Sequence, residues 1–221
     1  MMGIHPSILA ADLSNLKQQV GAVVEAGASR IHFDVMDGRY VPNLSFGPPV
    51  LKALRRHYPD LPIDVHLMVR PVTQTLLDAF IQAGASSIVF HPETCDHVHR
   101  SLMYLDQAGV QAGLAFNPST ELSGLDYLMP YLKRILLMSV NPGFSGQPFL
   151  PAVLSKAQAA AEWIQQQATP VVLEMDGGMN PDTIAQAHQA GVTAFVVGSD
   201  LFSAPDYHQR MQQLQAAYAD S

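Results

Sequence analysis

Cysteine is almost absent from this chain. Cys95 is the only one in 221 residues, so no intramolecular disulfide can form, and the composition fits a reducing compartment. Charge is also scarce: 14% of residues are Asp, Glu, Lys or Arg, and 12 basic residues face 19 acidic ones for a net charge of −7. An acidic chain has no electrostatic reason to bind nucleic acid or an anionic membrane. An anionic substrate would have to be held by backbone N–H groups, helix ends or a metal. No apolar run reaches the ~18 residues of a membrane span. Pro6, Asp12 and Asn15 interrupt the first residues, Met1 to Leu16, which do not read as a signal peptide. A cytoplasmic protein is expected. There is no linker, no low-complexity tract and no Gly-x-Gly-x-x-Gly dinucleotide fingerprint.

Hydrophobic residues, by contrast, make up 48% of the chain. That is the bias produced by strands buried on both faces. One local pattern recurs: Ala26-Gly27, Ala83-Gly84, Ala108-Gly109 and Ala190-Gly191 each precede a short apolar run. Each reads as a helix ended by a left-handed glycine, followed by a strand. The spacings are close to two, one and three units of about 27 residues, and eight such βα units account for the chain. The pattern predicts strands near 4–9, 30–35, 62–67, 87–91, 111–116, 134–140, 170–175 and 193–197. It predicts helices near 14–26, 47–57, 73–83, 97–108, 121–130, 151–167, 181–190 and 205–218. Short apolar strands alternating with helices imply a parallel sheet. The expected architecture is α/β, a single (β/α)8 TIM barrel over residues 1–221. An open doubly wound sheet is the alternative.

In such a barrel, chemistry is placed at the C-terminal ends of the strands. Strand 2 ends in His32, Asp34 and Met36 on one face; strand 3 ends in Asp64, His66 and Met68; strand 7 ends in Glu174 and Asp176. If they point inward, His32, Asp34, His66 and Asp176 converge at the barrel mouth. Four such groups in a barrel interior are costly without a partner. Two imidazoles and two carboxylates suit one divalent ion, Zn²⁺, Mn²⁺, Co²⁺ or Fe²⁺. Met36, Met68 and Met138 each end a strand. Their spacing fits core packing, and also a dry cap level with the ligands.

Glycine-rich turns follow the late strands: Asn141 to Phe149 with Gly143 and Gly146, Gly177-Gly178, and Gly198-Ser199. Glycines there permit tight turns, and they also let backbone N–H groups approach a phosphate beside helix N-termini. The long loop after strand 6 reads as a lid. A metal next to a ketone and its neighbouring hydroxyl would favour an enediolate. Asp34 and Asp176, from different strands, could take a proton from one face of the intervening carbon and return one to the other. The stereocentre would invert.

From end to end the chain resembles the ribulose-phosphate 3-epimerase family. The resemblance is carried by Pro6-Ser7-Ile8-Leu9-Ala10-Ala11-Asp12, His32-Phe33-Asp34-Val35-Met36-Asp37-Gly38, Tyr40-Val41-Pro42-Asn43, Gly47-Pro48-Pro49, Asp64-Val65-His66-Leu67-Met68-Val69, Asn141-Pro142-Gly143-Phe144, Asp176-Gly177-Gly178 and Gly198-Ser199. It implies a barrel of the ribulose-phosphate-binding type that interconverts ribulose 5-phosphate and xylulose 5-phosphate in pentose phosphate metabolism. It implies His32, Asp34, His66 and Asp176 as metal ligands, and Asp34 and Asp176 as the acid/base pair. Ser7, His66, Gly143, Phe144, Ser145, Gly146, Asp176, Gly177, Gly178, Gly198 and Ser199 are implied as substrate contacts. The expected partner is a small pentose phosphate. A homo-oligomer is expected, with no exposed stripe that selects a dimer or a ring.

Three departures from the family pattern stand out. Ser145 replaces a usual glycine and would cost strain if that position needs positive φ. Asp200 replaces a small apolar residue beside the expected phosphate site and should point away. Met175 and Met179 replace valines as packing changes. An epimerase of a longer ketose phosphate such as allulose 6-phosphate would share the site. A related barrel decarboxylase would need Asp-x-Lys-x-x-Asp on strand 3, whereas this chain has Asp64-Val65-His66. A non-catalytic phosphosugar-binding barrel would not need both carboxylates.

Overall fold

The computed structural model describes residues 3–219. Eight strands follow one another in a single parallel sheet: β1 Gly3–Pro6, β2 Ile31–Met36, β3 Ile63–Met68, β4 Ser87–Phe90, β5 Gln111–Phe116, β6 Leu132–Met138, β7 Val172–Asp176 and β8 Ala194–Val197. From β2 to β8 each strand pairs with its sequence neighbour, β1 pairs with β8, and a single parallel bridge between Ser7 and His32 joins the β1 and β2 edges. The sheet therefore closes into the expected TIM barrel.

Around it run α1 Leu16–Glu25, α2 Pro48–His57, α3 Gln74–Ala83, α4 Val98–Gln107, α5 Val153–Gln165, α6 Pro181–Gln189, the single turn α7 Ser199–Phe202, and α8 Tyr207–Ala219. Local chemistry sets many of their ends. Pro48 and Pro49 occupy the first turn of α2, where a missing N–H costs nothing. The Thr73 side chain caps α3, and Gly84 ends it at φ 95°. At α6, Asn180 and Thr183 form a reciprocal capping box that spans Pro181 at the first helical position.

One expected helix is not formed. Residues 121–130 hold only a 3-10 turn, Leu125–Leu128, which follows Gly124 at φ 69° and precedes Pro130. Pro118, Gly124 and Pro130 leave no uninterrupted helical stretch. The loop is held instead by Lys156 of α5, whose Nζ donates to the carbonyls of Asn117, Pro118 and Thr120 at 2.7–2.8 Å. The first strand is also shorter than expected, because the chain turns at Ser7 into a 3-10 segment, Ile8–Ala10.

The main core lies between strands and helices. Phe33, Phe80, Phe90, Phe116 and Phe195 are all fully buried there, each stabilising the fold by about 1.5–3 kcal/mol. Met175 and Met179 belong to this core, as expected of packing changes. Inside the barrel, Val89, Ala115, Leu136, Met138, Val140 and Val196 form a second apolar cluster. Below them lies a buried charged network. His5 Nδ1 is 2.5 Å from Glu174 Oε1, and Arg134 Nη2 is 2.9 Å from Glu174 Oε2 and 3.1 Å from Asp64 Oδ2. Arg30 also pairs with Asp64, and Ser87 Oγ donates to it at 2.5 Å. His5, Asp64 and Glu174 stand close enough together to hold a metal, but the two guanidiniums already balance the two carboxylates.

Candidate active site

The β2–β3 register sets His32 against Asp64, Asp34 against His66 and Met36 against Met68. The β6–β7 register sets Met138 against Asp176. The ligand atoms of His32, Asp34, His66 and Asp176 all lie within 4.8 Å of one another. His32 Nε2 is 3.2 Å from Asp34 Oδ1 and 3.9 Å from Asp176 Oδ2. His66 Nδ1 is 3.1 Å from Asp34 Oδ1 and 3.8 Å from Asp176 Oδ2. The other oxygen of Asp34, Oδ2, accepts from Ser7 Oγ at 2.5 Å. Ser7 therefore touches the carboxylate itself. Ser45 Oγ donates to the Asp34 carbonyl at 2.6 Å and accepts from Met36 N at 2.9 Å, which fixes the end of β2.

The electrostatics divide the two carboxylates. Burial works against ionising Asp34, but the His32 and His66 imidazoles outweigh it and hold the group well below its ordinary range. Burial and the nearby Asp34 charge push Asp176 up to about 8, against the pull of His32. His32 is itself pushed up to about 10: burial opposes its charge, and Asp34 with Asp176 and Glu174 overcomes it. Burial lowers His66 below the usual imidazole range despite its hydrogen bond to Asp34. Pairs driven apart in this way are what acid/base chemistry requires.

The donor set also fits a divalent ion. Both ring nitrogens of His32 are buried without a hydrogen-bond partner, although Nε2 faces two carboxylate oxygens. Buried polar atoms in native proteins are normally satisfied, and a cation between these four groups would satisfy Nε2.

A cavity of about 540 Å³ opens above the cluster. Ser7, Asp34, Met36, Met68, Met138 and Asp176 form its inner wall, and Gly143, Phe144, Ser145, Gly146, Gly177, Gly178, Gly198 and Ser199 line its outer side. Met36 and Met68 pack together with Val41, while Met138 belongs to the barrel-interior cluster, so the methionines serve both packing and the cavity wall. His66 is the exception among the expected substrate contacts. It is fully buried and does not line the cavity.

No Lys or Arg lines this cavity. The outer wall instead offers backbone from turns that only glycine can make. A Cβ at Gly177 would stand 2.5 Å from Val140 Cγ2, and one at Gly178 2.6 Å from the Phe149 nitrogen. Gly143 and Gly146 have positive φ, and no other residue type does among the described residues, so Ser145 bears no backbone strain. Gln147 Nε2 donates to the carbonyls of Asn141 and Phe144, and Asn43 Nδ2 donates to that of Gly143 at 3.1 Å, which ties the β6 loop to the β2 loop. Asp200 borders the cavity, but its carboxylate accepts from Arg210 at 2.8 and 2.5 Å and is neutralised there.

A group absent from the sequence reading lies behind the cluster. His91 follows β4, is fully buried, and brings Nε2 to 3.0 Å from His66 Nε2. Beyond it, Tyr40 donates to Glu93 at 2.7 Å, and Asn117 donates to both. The signal was available: His91 follows an apolar strand directly, in the part of a barrel where chemistry is placed.

A (β/α)8 barrel that gathers two carboxylates and two imidazoles at its mouth, below a glycine-walled cavity, has the framework of a barrel enzyme acting on a small molecule. The sequence model described as the Ribulose-phosphate 3 epimerase family matches residues 3–202. The chain belongs to that family. It is 48% identical over 216 residues to the Escherichia coli K12 protein named ribulose-phosphate 3-epimerase, covering 98% of this chain and 96% of that one. It is 49% identical to ribulose-phosphate 3-epimerase 1 of Cupriavidus necator, over 92% of this chain and 85% of that one. Among solved structures, one of KGPDC from Streptococcus mutans superposes with a TM-score of 0.76 at 10% identity, covering 99% and 98% of the two chains. A 3-hexulose-6-phosphate synthase gives 0.72 at 17% identity, covering 99% and 100%. At these identities the likeness shows the shared barrel alone. No helix among the described residues is long and apolar enough to cross a membrane.

Proposed function

We propose that this chain interconverts D-ribulose 5-phosphate and D-xylulose 5-phosphate by proton transfer at C3 between Asp34 and Asp176. The observation that carries this reading is the convergence of those two carboxylates, in opposite electrostatic settings, at the floor of one cavity. His32, Asp34, His66 and Asp176 would hold one divalent ion, Zn²⁺, Fe²⁺, Mn²⁺ or Co²⁺. Such an ion would supply positive charge where negative charge develops on the ketone and hydroxyl oxygens of the substrate.

Asp34, kept ionised by its imidazole neighbours, is the ready base toward one face of C3. Asp176 delivers a proton to the other. For the reverse epimer the roles exchange. Ser7 holds Asp34 Oδ2 by its hydroxyl and so fixes the direction in which that carboxylate works. Met36, Met68 and Met138 keep water from the inner wall. The phosphate is taken by backbone N–H groups of the Gly177-Gly178 and Gly198-Ser199 turns, with Gly143 to Gly146 closing over it.

The test is exchange of the C3 hydrogen of ribulose 5-phosphate with deuterated water. Exchange accompanied by xylulose 5-phosphate, lost on chelation and restored by a divalent ion, is expected. Asp34→Asn and Asp176→Asn should each lower kcat by about 10²–10⁴-fold or more, with thermal melts that still report a folded barrel. Near-parent turnover in either variant would sink the two-carboxylate mechanism.

A further inference from the structure

In a metal site built on histidine, the ring nitrogen that does not face the ion needs a partner, because that partner fixes the tautomer and the ring angle. For His66 the inward nitrogen is Nδ1, 3.1 Å from Asp34 Oδ1. Its outward nitrogen, Nε2, meets neither a carboxylate nor a carbonyl but the Nε2 of His91, at 3.0 Å. One of these two nitrogens must donate and the other accept.

We propose that His91 is a positioning residue for the metal ligand His66: its Nε2 accepts the His66 Nε2–H and leaves the Nδ1 lone pair of His66 to the cation. The inference rests on the metal-site reading above. Three observations support this direction of the bond. The nearest carboxylate to the far nitrogen of His91 is Glu93, whose Oε1 is 3.9 Å from Nδ1, so the negative charge favours a proton on Nδ1 and a lone pair on Nε2. That Nδ1 is buried with no other partner. The ring is clamped between His66 and Tyr40, with centroids 5.2 and 4.9 Å away, so it cannot turn aside. Glu93 is itself held by Tyr40 and Asn117. The line Glu93, His91, His66 thus runs from the barrel's rim to the ligand cluster, and His91 does not line the cavity.

The test compares full-length parent, His91→Phe and His91→Gln. Phenylalanine fills the space without an acceptor, whereas glutamine offers an amide oxygen. Competition of Co²⁺ against a chelator should show His91→Phe binding about 10–100-fold more weakly, with His91→Gln recovering most of the loss. A role in packing alone predicts the opposite order. In Zn²⁺-loaded parent, nitrogen-15 spectra should show His66 protonated at Nε2 and His91 protonated at Nδ1. Parent-level Co²⁺ affinity in His91→Phe, or a proton on His91 Nε2 in the zinc form, overturns the inference while leaving the metal site standing. No Co²⁺ uptake by the parent overturns both. If His91→Phe does not fold, the tautomers in the parent decide.

Discussion

At Asp34, two imidazoles and the Ser7 hydroxyl surround the carboxylate, whereas Asp176 meets burial and a like charge. The same side chain therefore releases its proton easily at one position and keeps it at the other. This has a consequence for the metal-free protein. His32, raised from 6.5 to about 10, binds more protons folded than unfolded across that interval. Its contribution is full below the unfolded value and is lost as pH rises through the folded one. Asp176, raised from 3.8 to about 8, acts in the same direction over its own interval. The Asp34 contribution is lost only in acid. The Tm of the metal-stripped protein should thus fall between about pH 6 and pH 9. Metal binding displaces the same protons, so the gain in Tm on adding Co²⁺ should widen over that range. Scanning fluorimetry with and without Co²⁺ checks both slopes, and a gain independent of pH would count against this ligand set.

At the level of elements, the turns after β6 and β7 look alike in sequence but not in space. Gly178 has φ 65°, and a Cβ there would strike the Phe149 backbone at 2.6 Å; Gly146 has φ 76° but open space around it. Gly178→Ala should cost about 1–3 kcal/mol and raise KM for the ketose phosphate, because the turn must move. Gly146→Ala should cost about 1 kcal/mol with near-parent kinetics. Equal costs in urea denaturation would remove the steric argument. Seven of the expected helices were legible because caps, glycine stops and apolar spacing are local signals. Residues 121–130 misled because their apolar spacing suits a helix, while Gly124 and Pro130 break it and Lys156, far along the chain, satisfies the loop's carbonyls.

In the molecule as a whole, the barrel closes over a floor of ion pairs. Arg134 stands between Glu174 and Asp64, all of them almost completely buried. Arg134→Met should destabilise by about 3–5 kcal/mol, since it strips buried carboxylates of a partner. The urea midpoint at unchanged slope measures this, and a loss below about 1 kcal/mol would mean that Arg30 and His5 suffice.

The sequence by itself determined the eight strands, seven of the helices around them and the placement of His32, Asp34, His66 and Asp176 on β2, β3 and β7, because helical and strand periods and glycine stops are written within a few residues. Only the tertiary structure decided that Ser7 grips Asp34, that His91 meets His66, that His66 stands behind the cavity wall, and that His5 pairs with Glu174, 169 positions away. Those contacts depend on how the strands align when the barrel closes, and no local pattern records that register.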